Sequence, residues 1–474
     1  MDSNEFYKLL KTSFPFKPTL KQNIGLQQLS NFIFSTIANE IFVLKGYAGT
    51  GKTTIIGVLV KNLWHANKTA VLLAPTGRAA KVISNYSKSE AFTIHKKIYV
   101  PRAEKNGKIS FVLAPNKHKK TLFIVDEASM ISDISNQAKL FGSGSLLDDL
   151  IQFVYSGSQC KLLLIGDTAQ LPPVKLDLSP ALNESNLELN YNKEVIRLEL
   201  DEVVRQGEDS GILFNATHLR EAVSNSYFDS FHFNLNGFKD IVRLNDGYEI
   251  LDAINDAYST LGNEDTALIV RSNKRANLYN EQIRSRILFN ENELSTGDFL
   301  MIVKNNYFWL KPTSEAGFIA NGDIIEVLEI FSIKELYGFR FAEVKIRMVD
   351  YPKMRPFETV LMLDTIKLET PSLPYEESNK LYQEILKDFE DESSSYKKFL
   401  GVKKSKYLNS LQVKFSYAIT CHKSQGGQWD TVFVEQPYLP NGIDRDYLRW
   451  LYTAITRAKE KLYLIGFKDD FFED

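Results

Sequence analysis

Four apolar runs in the first half of the chain, at 41–44, 70–73, 122–125 and 162–165, carry no alternating polar position. Each ends in a polar or glycine-rich turn and leads toward a helical stretch. Strands with no exposed face, separated by helices, predict a parallel sheet covered on both sides. In such sheets ligands bind just past the strand C-termini, and that is where the polar clusters fall. A second set of runs at 267–270, 431–434 and 462–465 predicts a second α/β unit. Between about 295 and 410 the pattern changes. Segments 298–303, 317–330, 339–349 and 357–363 alternate apolar with polar residues, which predicts a small antiparallel barrel inserted into the second unit. Residues 375–407, rich in Glu, Lys, Ser and Tyr, read as an exposed helical excursion. The turn Lys105-Asn106-Gly107-Lys108, flanked by β-prone residues, predicts a hairpin. The fold class is α/β.

Composition adds boundaries. With 474 residues, 44% hydrophobic and 24% charged, the chain excludes collagen, low-complexity disorder and disulfide scaffolds, and has length for two to four cores. The 57 Lys and Arg nearly balance the 59 Asp and Glu, for a net charge of −2. That balance leans against a nucleic-acid partner, which a basic chain would announce; such a partner has to be argued from sites. Cys160 and Cys421 are too few for a disulfide framework or a thiolate metal site. The N-terminal stretch lacks a signal core, and no apolar run approaches a membrane span. The expectation is a soluble, cytoplasmic protein with free thiols and no membrane partner.

The strongest local signal is Gly46-Tyr47-Ala48-Gly49-Thr50-Gly51-Lys52-Thr53, a full phosphate-loop pattern between a predicted strand and helix. Glycines let backbone N–H groups approach phosphates, and the helix N-terminus adds positive potential. Lys52 suits the β/γ-phosphates, and Thr53 suits Mg²⁺. The run at 122–125 ends in Asp126-Glu127, which suits a metal-organising Asp126 and a water-activating Glu127. These residues predict Mg-ATP hydrolysis. Gln170 follows a third strand on a loop stiffened by Pro172 and Pro173, placed to sense a γ-phosphate. Arg205 and Arg457 lie far from the phosphate loop in sequence. An arginine reaching the transition state from another domain contributes about 10³–10⁵ in rate.

Other segments accompany these in a fixed order. They are Gln22 after Thr19, Ala74-Pro75-Thr76-Gly77-Arg78-Ala79-Ala80, Thr93-Ile94-His95, Asp126-Glu127-Ala128-Ser129 and Gly166-Asp167-Thr168-Ala169-Gln170-Leu171-Pro172-Pro173. Then come Leu200-Asp201-Glu202-Val203-Val204-Arg205-Gln206, Tyr417-Ala418-Ile419-Thr420-Cys421-His422-Lys423-Ser424-Gln425-Gly426 and Leu451-Tyr452-Thr453-Ala454-Ile455-Thr456-Arg457-Ala458. Together, from about residue 19 to 466, they resemble the superfamily 1B (5′→3′) DNA helicases, especially the Dda-like and RecD-like members.

The resemblance implies two RecA-like parallel-sheet domains, 1A over 1–95 and 121–205 and 2A over 206–294 and 411–474. It implies a pin hairpin (1B) over 96–120 and an inserted SH3-like 2B barrel with its helical excursion over 295–410. ATP would contact Gln22, Gly46, Ala48, Gly49, Thr50, Gly51, Lys52, Thr53, Thr54 and Gly426, with Mg²⁺ on Thr53 and Asp126. Lys52, Asp126, Glu127, Gln170, Arg205 and Arg457 would carry catalysis. Pro75, Thr76, Thr93, His95, Thr420, His422 and Ser424 would contact single-stranded DNA. Tyr99 and Phe111 would form the junction pin, in a segment with eight Lys and Arg between 96 and 120 against Glu104 alone, and 375–407 would brace it.

The implied activity is ATP-dependent 5′→3′ translocation on single-stranded DNA with duplex unwinding at forks. It would be carried out by a monomeric motor whose partners are replication or recombination proteins. Two rivals remain: a protein-displacing translocase, and an ATP-gated nucleic-acid-binding switch. On its residues alone His95 is open between a structural and a base-stacking role. Tyr307-Phe308-Trp309 is open between barrel core and base stacking. With no second carboxylate cluster, a nuclease is disfavoured.

Overall fold

A computed structural model describes the chain except residues 104–108, 134–140, 205–209, 226–227, 229–230, 312–313, 441 and 474. Helices α1 (Ser3–Ser13) and α2 (Leu20–Phe34) open it, each started by a capping box, from Asp2 with Glu5 and from Thr19 with Gln22. Strand β1 (Glu40–Gly46) then leads through the phosphate loop into α3 (Lys52–Asn62). Strand β2 (Thr69–Ala74) leads into α4 (Gly77–Ser87), and β3 (Ala91–Thr93) into α5 (Ile94–Ile98). A two-stranded ribbon of β4 (Tyr99–Ala103) and β5 (Ile109–Leu113) follows. Strands β6 (Thr121–Val125), β7 (Lys161–Gly166) and β8 (Glu194–Leu200) complete the first sheet.

That sheet is wholly parallel, in the order β3-β2-β6-β7-β1-β8. The unalternating strands have a direct cause. Phe42, Leu44, Leu122, Ile124, Leu163 and Ile165 enter the core beneath α1, α2 and α3. Ile41, Val43, Phe123, Val125, Leu162 and Leu164 enter the opposite core, with Leu147 and Leu150 of the helix Leu146–Ser156.

The second sheet is also parallel, in the order β16-β10-β17-β18-β9, from β9 (Ile241–Leu244), β10 (Thr266–Val270), β16 (Ala418–Thr420), β17 (Trp429–Glu435) and β18 (Ala458–Ile465). Inserted between β10 and β16 is a closed barrel of β11 (Phe299–Ile302), β12 (Ile324–Leu336), β13 (Phe339–Met348), β14 (Phe357–Met362) and β15 (Leu411–Phe415). The architecture is therefore two RecA-like parallel-sheet units, a small hairpin and an inserted β-barrel.

Three details depart from the sequence reading. The insertion extends past residue 410, because β15 pairs with both β11 and β14 and closes the barrel. The first turn of the 317–330 segment is not strand; β12 begins at Ile324. The excursion, helices Tyr375–Lys387 and Ser395–Lys404, packs Leu381, Ile385 and Val402 onto Phe339, Phe341 and Val360 of the barrel, where the sequence reading had it bracing the hairpin.

A buried ion pair ties barrel to sheet. Arg284 donates to Asp298 through Nε (2.9 Å) and Nη2 (2.8 Å). Tyr417 Oη donates to the same carboxylate at 3.0 Å and accepts from Phe299 N at 3.1 Å. Asp298 is fully buried and Arg284 nearly so. Removing one member of such a pair strands the other, at about 3–5 kcal/mol. Asp298→Ala should lower the unfolding free energy by that much, read from the denaturant midpoint and slope, and Arg284→Met in the same chain should recover part of the loss.

Candidate functional site

The phosphate loop is held in its turn by backbone geometry. Gly51 starts α3 with φ +84°, and a Cβ there would lie 2.5 Å from Gln22 Nε2. Gln22 is buried. Its Oε1 accepts from Thr19 N (3.0 Å) and its Nε2 donates to Thr50 O (3.0 Å). The side chain expected to contact ATP thus spends one end of its amide on its own helix cap and the other on the loop. Lys52 Nζ donates to Gly46 O (2.5 Å) and Tyr47 O (2.8 Å), folding over the loop. Thr53 and Thr54 occupy the first turn of α3.

Asp126 and Glu127 follow β6 beside that loop. Asp126 Oδ1 accepts from Glu127 N at 2.9 Å, and Oδ2 accepts from the Tyr86 hydroxyl at 2.5 Å. Glu127 sits at φ +54°, a left-handed conformation rarely taken by a side chain-bearing residue. Burial pushes its carboxyl up from the usual range, against the pull of Arg457. Gln170 is buried beyond β7, and its Oε1 has no hydrogen-bond partner among the described residues.

The second unit closes over this site. Arg457 is buried, with Nη1 4.0 Å from Glu127 Oε1. Its Nε donates to Thr453 O (3.0 Å), and Nη1 to Gly427 O (3.4 Å). From the helix Arg445–Ile455, Tyr452 Oη accepts from Ala48 N (2.9 Å) in the phosphate loop and donates to Asp167 Oδ2 (2.6 Å). Thr453 Oγ1 accepts from Leu171 N (2.8 Å), and Gln425 Nε2 donates to Leu171 O (2.7 Å). Of the six residues expected to carry catalysis, five lie around this cleft; Arg205 lies outside the described residues. Tyr452 was visible in its motif but had no role assigned, and Tyr86 had no sequence signal at all.

The residues expected at the DNA strand divide. Pro75 and Thr76 stand at the start of α4, where Thr76 Oγ1 accepts from Ala79 N (3.2 Å). Gly426, expected with the nucleotide, packs there instead: at φ +72°, a Cβ on it would lie 2.9 Å from Ala79 Cβ and 3.2 Å from Thr76 Oγ1. Thr93 caps α5, accepting from Lys96 N at 3.3 Å. Thr420 precedes the short helix Cys421–Ser424, and His422 is exposed. Ser424 differs from expectation. It is buried, and its hydroxyl donates to Cys421 O at 2.7 Å, so its proton is spent inside the protein. Neighbouring Lys423 has its Nζ buried without a partner among the described residues, and burial lowers it to about 8.

His95 and the two pin candidates converge on one aromatic cluster. His95 lies 5.0 Å from Phe141 and 5.7 Å from Tyr99. Phe111 stacks on Phe141 at 4.8 Å and meets Tyr307 of the barrel segment at 4.9 Å, and Tyr307 meets Phe318 at 5.0 Å. Tyr99 is buried and donates to Asp149 Oδ2 at 2.6 Å. Tyr99 therefore ties the hairpin to the first unit, and Phe111 ties it to the barrel segment. Trp309 donates Nε1–H to Asn409 O (2.7 Å), while Phe308 is exposed.

This class of site is a nucleotide cleft between two RecA-like units, with residues of both on the phosphate loop. Residues 31–231 match the AAA domain family, and residues 415–465 the UvrD-like helicase C-terminal domain. An uncharacterized protein of Acanthamoeba polyphaga mimivirus is 23% identical over 93% of this chain and 98% of its own length. The ATP-dependent DNA helicase dda of Enterobacteria phage T4 is 25% identical over 89% of this chain and 93% of its own. A crystal structure of the Pif1 helicase from Bacteroides with ADP-AlF3 and ssDNA aligns with TM-score 0.45 at 15% identity, covering 94% of this chain and 93% of that one. The chain is thus similar to the DNA helicase dda along most of its length, and it is an ATP-hydrolysing enzyme. No helix among the described residues is long and apolar enough to cross a membrane.

Burial lowers His95 to about 4. Its folded value lies below the unfolded one, so it favours the fold while neutral. That contribution is present above pH 6.5 and lost as pH falls toward 4, about 2–4 kcal/mol in all. The His95 imidazole should titrate near 4 by NMR. The acid-side fall in thermal midpoint across this window should shrink in His95→Phe.

Proposed function

We propose that this chain is a motor that moves 5′→3′ along single-stranded DNA at the expense of ATP and unwinds duplex at forks. The observation that carries the reading is Arg457, brought from the second unit to 4.0 Å from Glu127 across the nucleotide cleft. An arginine in that place makes hydrolysis depend on closure of the two units, so each ATP can drive one closing and one opening.

In this reading domain 1A comprises 1–95 and 121–205, and the hairpin 1B 96–120. Domain 2A comprises 206–294 and residues beyond the barrel, which runs to the end of β15. Lys52 swings from the loop carbonyls to the β/γ-phosphates, and loop N–H groups cradle them. Thr53 and Asp126 supply hydroxyl and carboxylate oxygens, the hard donors that Mg²⁺ takes together with phosphate oxygens and water. Among the described residues no three His, Cys, Asp or Glu side chains converge as a metal cage, which suits a cation shared with the nucleotide. When bound, Mg²⁺ neutralises phosphate charge. Glu127 takes the proton of the attacking water, and its raised carboxyl is a better base than an exposed one. The buried, unpartnered Gln170 Oε1 suits an acceptor for that water. Arg205 is proposed as a second finger.

Along the strand path, Thr76 and Thr93 each accept one N–H at a helix cap, which leaves the hydroxyl proton for a phosphate oxygen. Pro75, Thr420, His422 and the close approach of Gly426 to Thr76 complete the path, while Ser424 and His95 support it from behind. The aromatic cluster gives the hairpin a rigid base at the fork. Opening one base-pair step costs about 1.4 kcal/mol on average, which a braced hairpin can resist and a loose one would yield to.

ATPase rate should rise at least several-fold with single-stranded DNA, and Glu127→Gln should remove turnover; an unstimulated wild type would exclude a motor. Arg457→Ala should lower kcat by about 10³ or more with a smaller change in KM. A duplex with a 5′ tail should be opened and one with a 3′ tail left intact, read as strand displacement on a gel; the reverse preference would reverse the direction.

A further inference from the structure

The hydroxyl of Tyr86, in the last turn of α4, donates to Asp126 Oδ2 at 2.5 Å. It thus engages one of the two side chains that the nucleotide reading assigns to the cation. Asp126 Oδ1 accepts from Glu127 N at 2.9 Å, and Tyr86 covers Oδ2, the oxygen that no backbone donor meets. The ring is packed against the core beneath α3 with Ile83 and Ile55, so the hydroxyl is delivered from a fixed side. A carboxylate half-removed from water and left without a donor is costly; the phenol meets that need.

We infer that Tyr86 is a displaceable occupant of the metal seat: its hydroxyl holds Asp126 while the cleft is empty and must release Oδ2 for Mg²⁺-nucleotide to bind. The inference rests on the assignment of Asp126 and Thr53 to Mg²⁺ and adds a residue that sets how much Mg²⁺ the site requires. A neutral phenol oxygen is a poor substitute for a carboxylate on Mg²⁺, which prefers charged oxygens, phosphates and water. Tyr86 therefore competes with the cation for Asp126.

The test is binding of the fluorescent nucleotide mant-ADP to the full chain, titrated with Mg²⁺ from an EDTA baseline. Wild type should bind more tightly as Mg²⁺ is added. Tyr86→Phe, which keeps the ring and loses the hydroxyl, should reach half-saturation at about tenfold lower Mg²⁺, the lower end of the effect of a hydrogen bond to a charged group. Its affinity in EDTA should stay within about twofold of wild type, which a misfolded variant would not match. In an Asp126→Asn background the same substitution should produce no shift. A half-saturating Mg²⁺ unchanged or raised in Tyr86→Phe, or a shift that survives Asp126→Asn, would overturn the inference while leaving the nucleotide site standing. A wild type whose mant-ADP affinity ignores Mg²⁺ would instead remove the metal assignment, and the inference with it.

Discussion

The structure depends on a hydrogen-bonded seam between the helix Arg445–Ile455 and the loops past β1 and β7. Tyr452 holds Ala48 N and Asp167, while Thr453 and Gln425 hold the two backbone groups of Leu171. Each such bond contributes about 0.5–1.5 kcal/mol net, so the seam as a whole is worth a few kcal/mol. Ligand binding can shift an equilibrium by that much. An apolar interface of the same size would hold the units together through every cycle. Here, among the described residues, Ala169 and Leu171 of the first unit enter the core of the second, with Tyr47 and Ala48 packed at its edge.

Parallel topology puts that seam on the nucleotide. In both sheets the strands run the same way, so their C-terminal ends gather the loops that carry chemistry. The first sheet brings together the ends of β1, β6 and β7, which bear the phosphate loop, Asp126-Glu127 and Gln170. Arg457 follows the last turn of the same helix that carries Tyr452, so the residue touching the phosphate loop and the residue touching Glu127 move together. In the proposed cycle, closure and the arrival of the arginine would then be one event rather than two.

Much of this was legible in the chain. The runs without polar alternation marked both parallel sheets, because each strand is buried on two faces, and the phosphate loop is written in consecutive residues. What stayed hidden depends on partners distant in sequence. Tyr99 and Phe111 read from the chain as pin rings, and the cluster they form with Phe141, Tyr307 and Phe318 is brought together only by the fold. β15 looks like any short buried strand; its barrel membership lies in its pairing with β11. Ser424 and Gln22 have side chains of the expected type in the expected motif, yet their hydrogen bonds turn inward.

The near-neutral charge gains a physical meaning from the same geometry. A strand held by broad basic attraction would be gripped in every state of the cycle, since the counterion-release contribution does not distinguish open from closed. The groups gathered beside the cleft are hydroxyls, helix-cap N–H groups and a glycine pressed on Thr76, which work only at contact distance. Gly426 belongs to the second unit and Thr76 to the first, so that contact exists only while the units are together. In the proposed motor, a grip made this way would be switched by the seam that closure of the cleft forms. Net charge, which measures long-range attraction, says nothing about it.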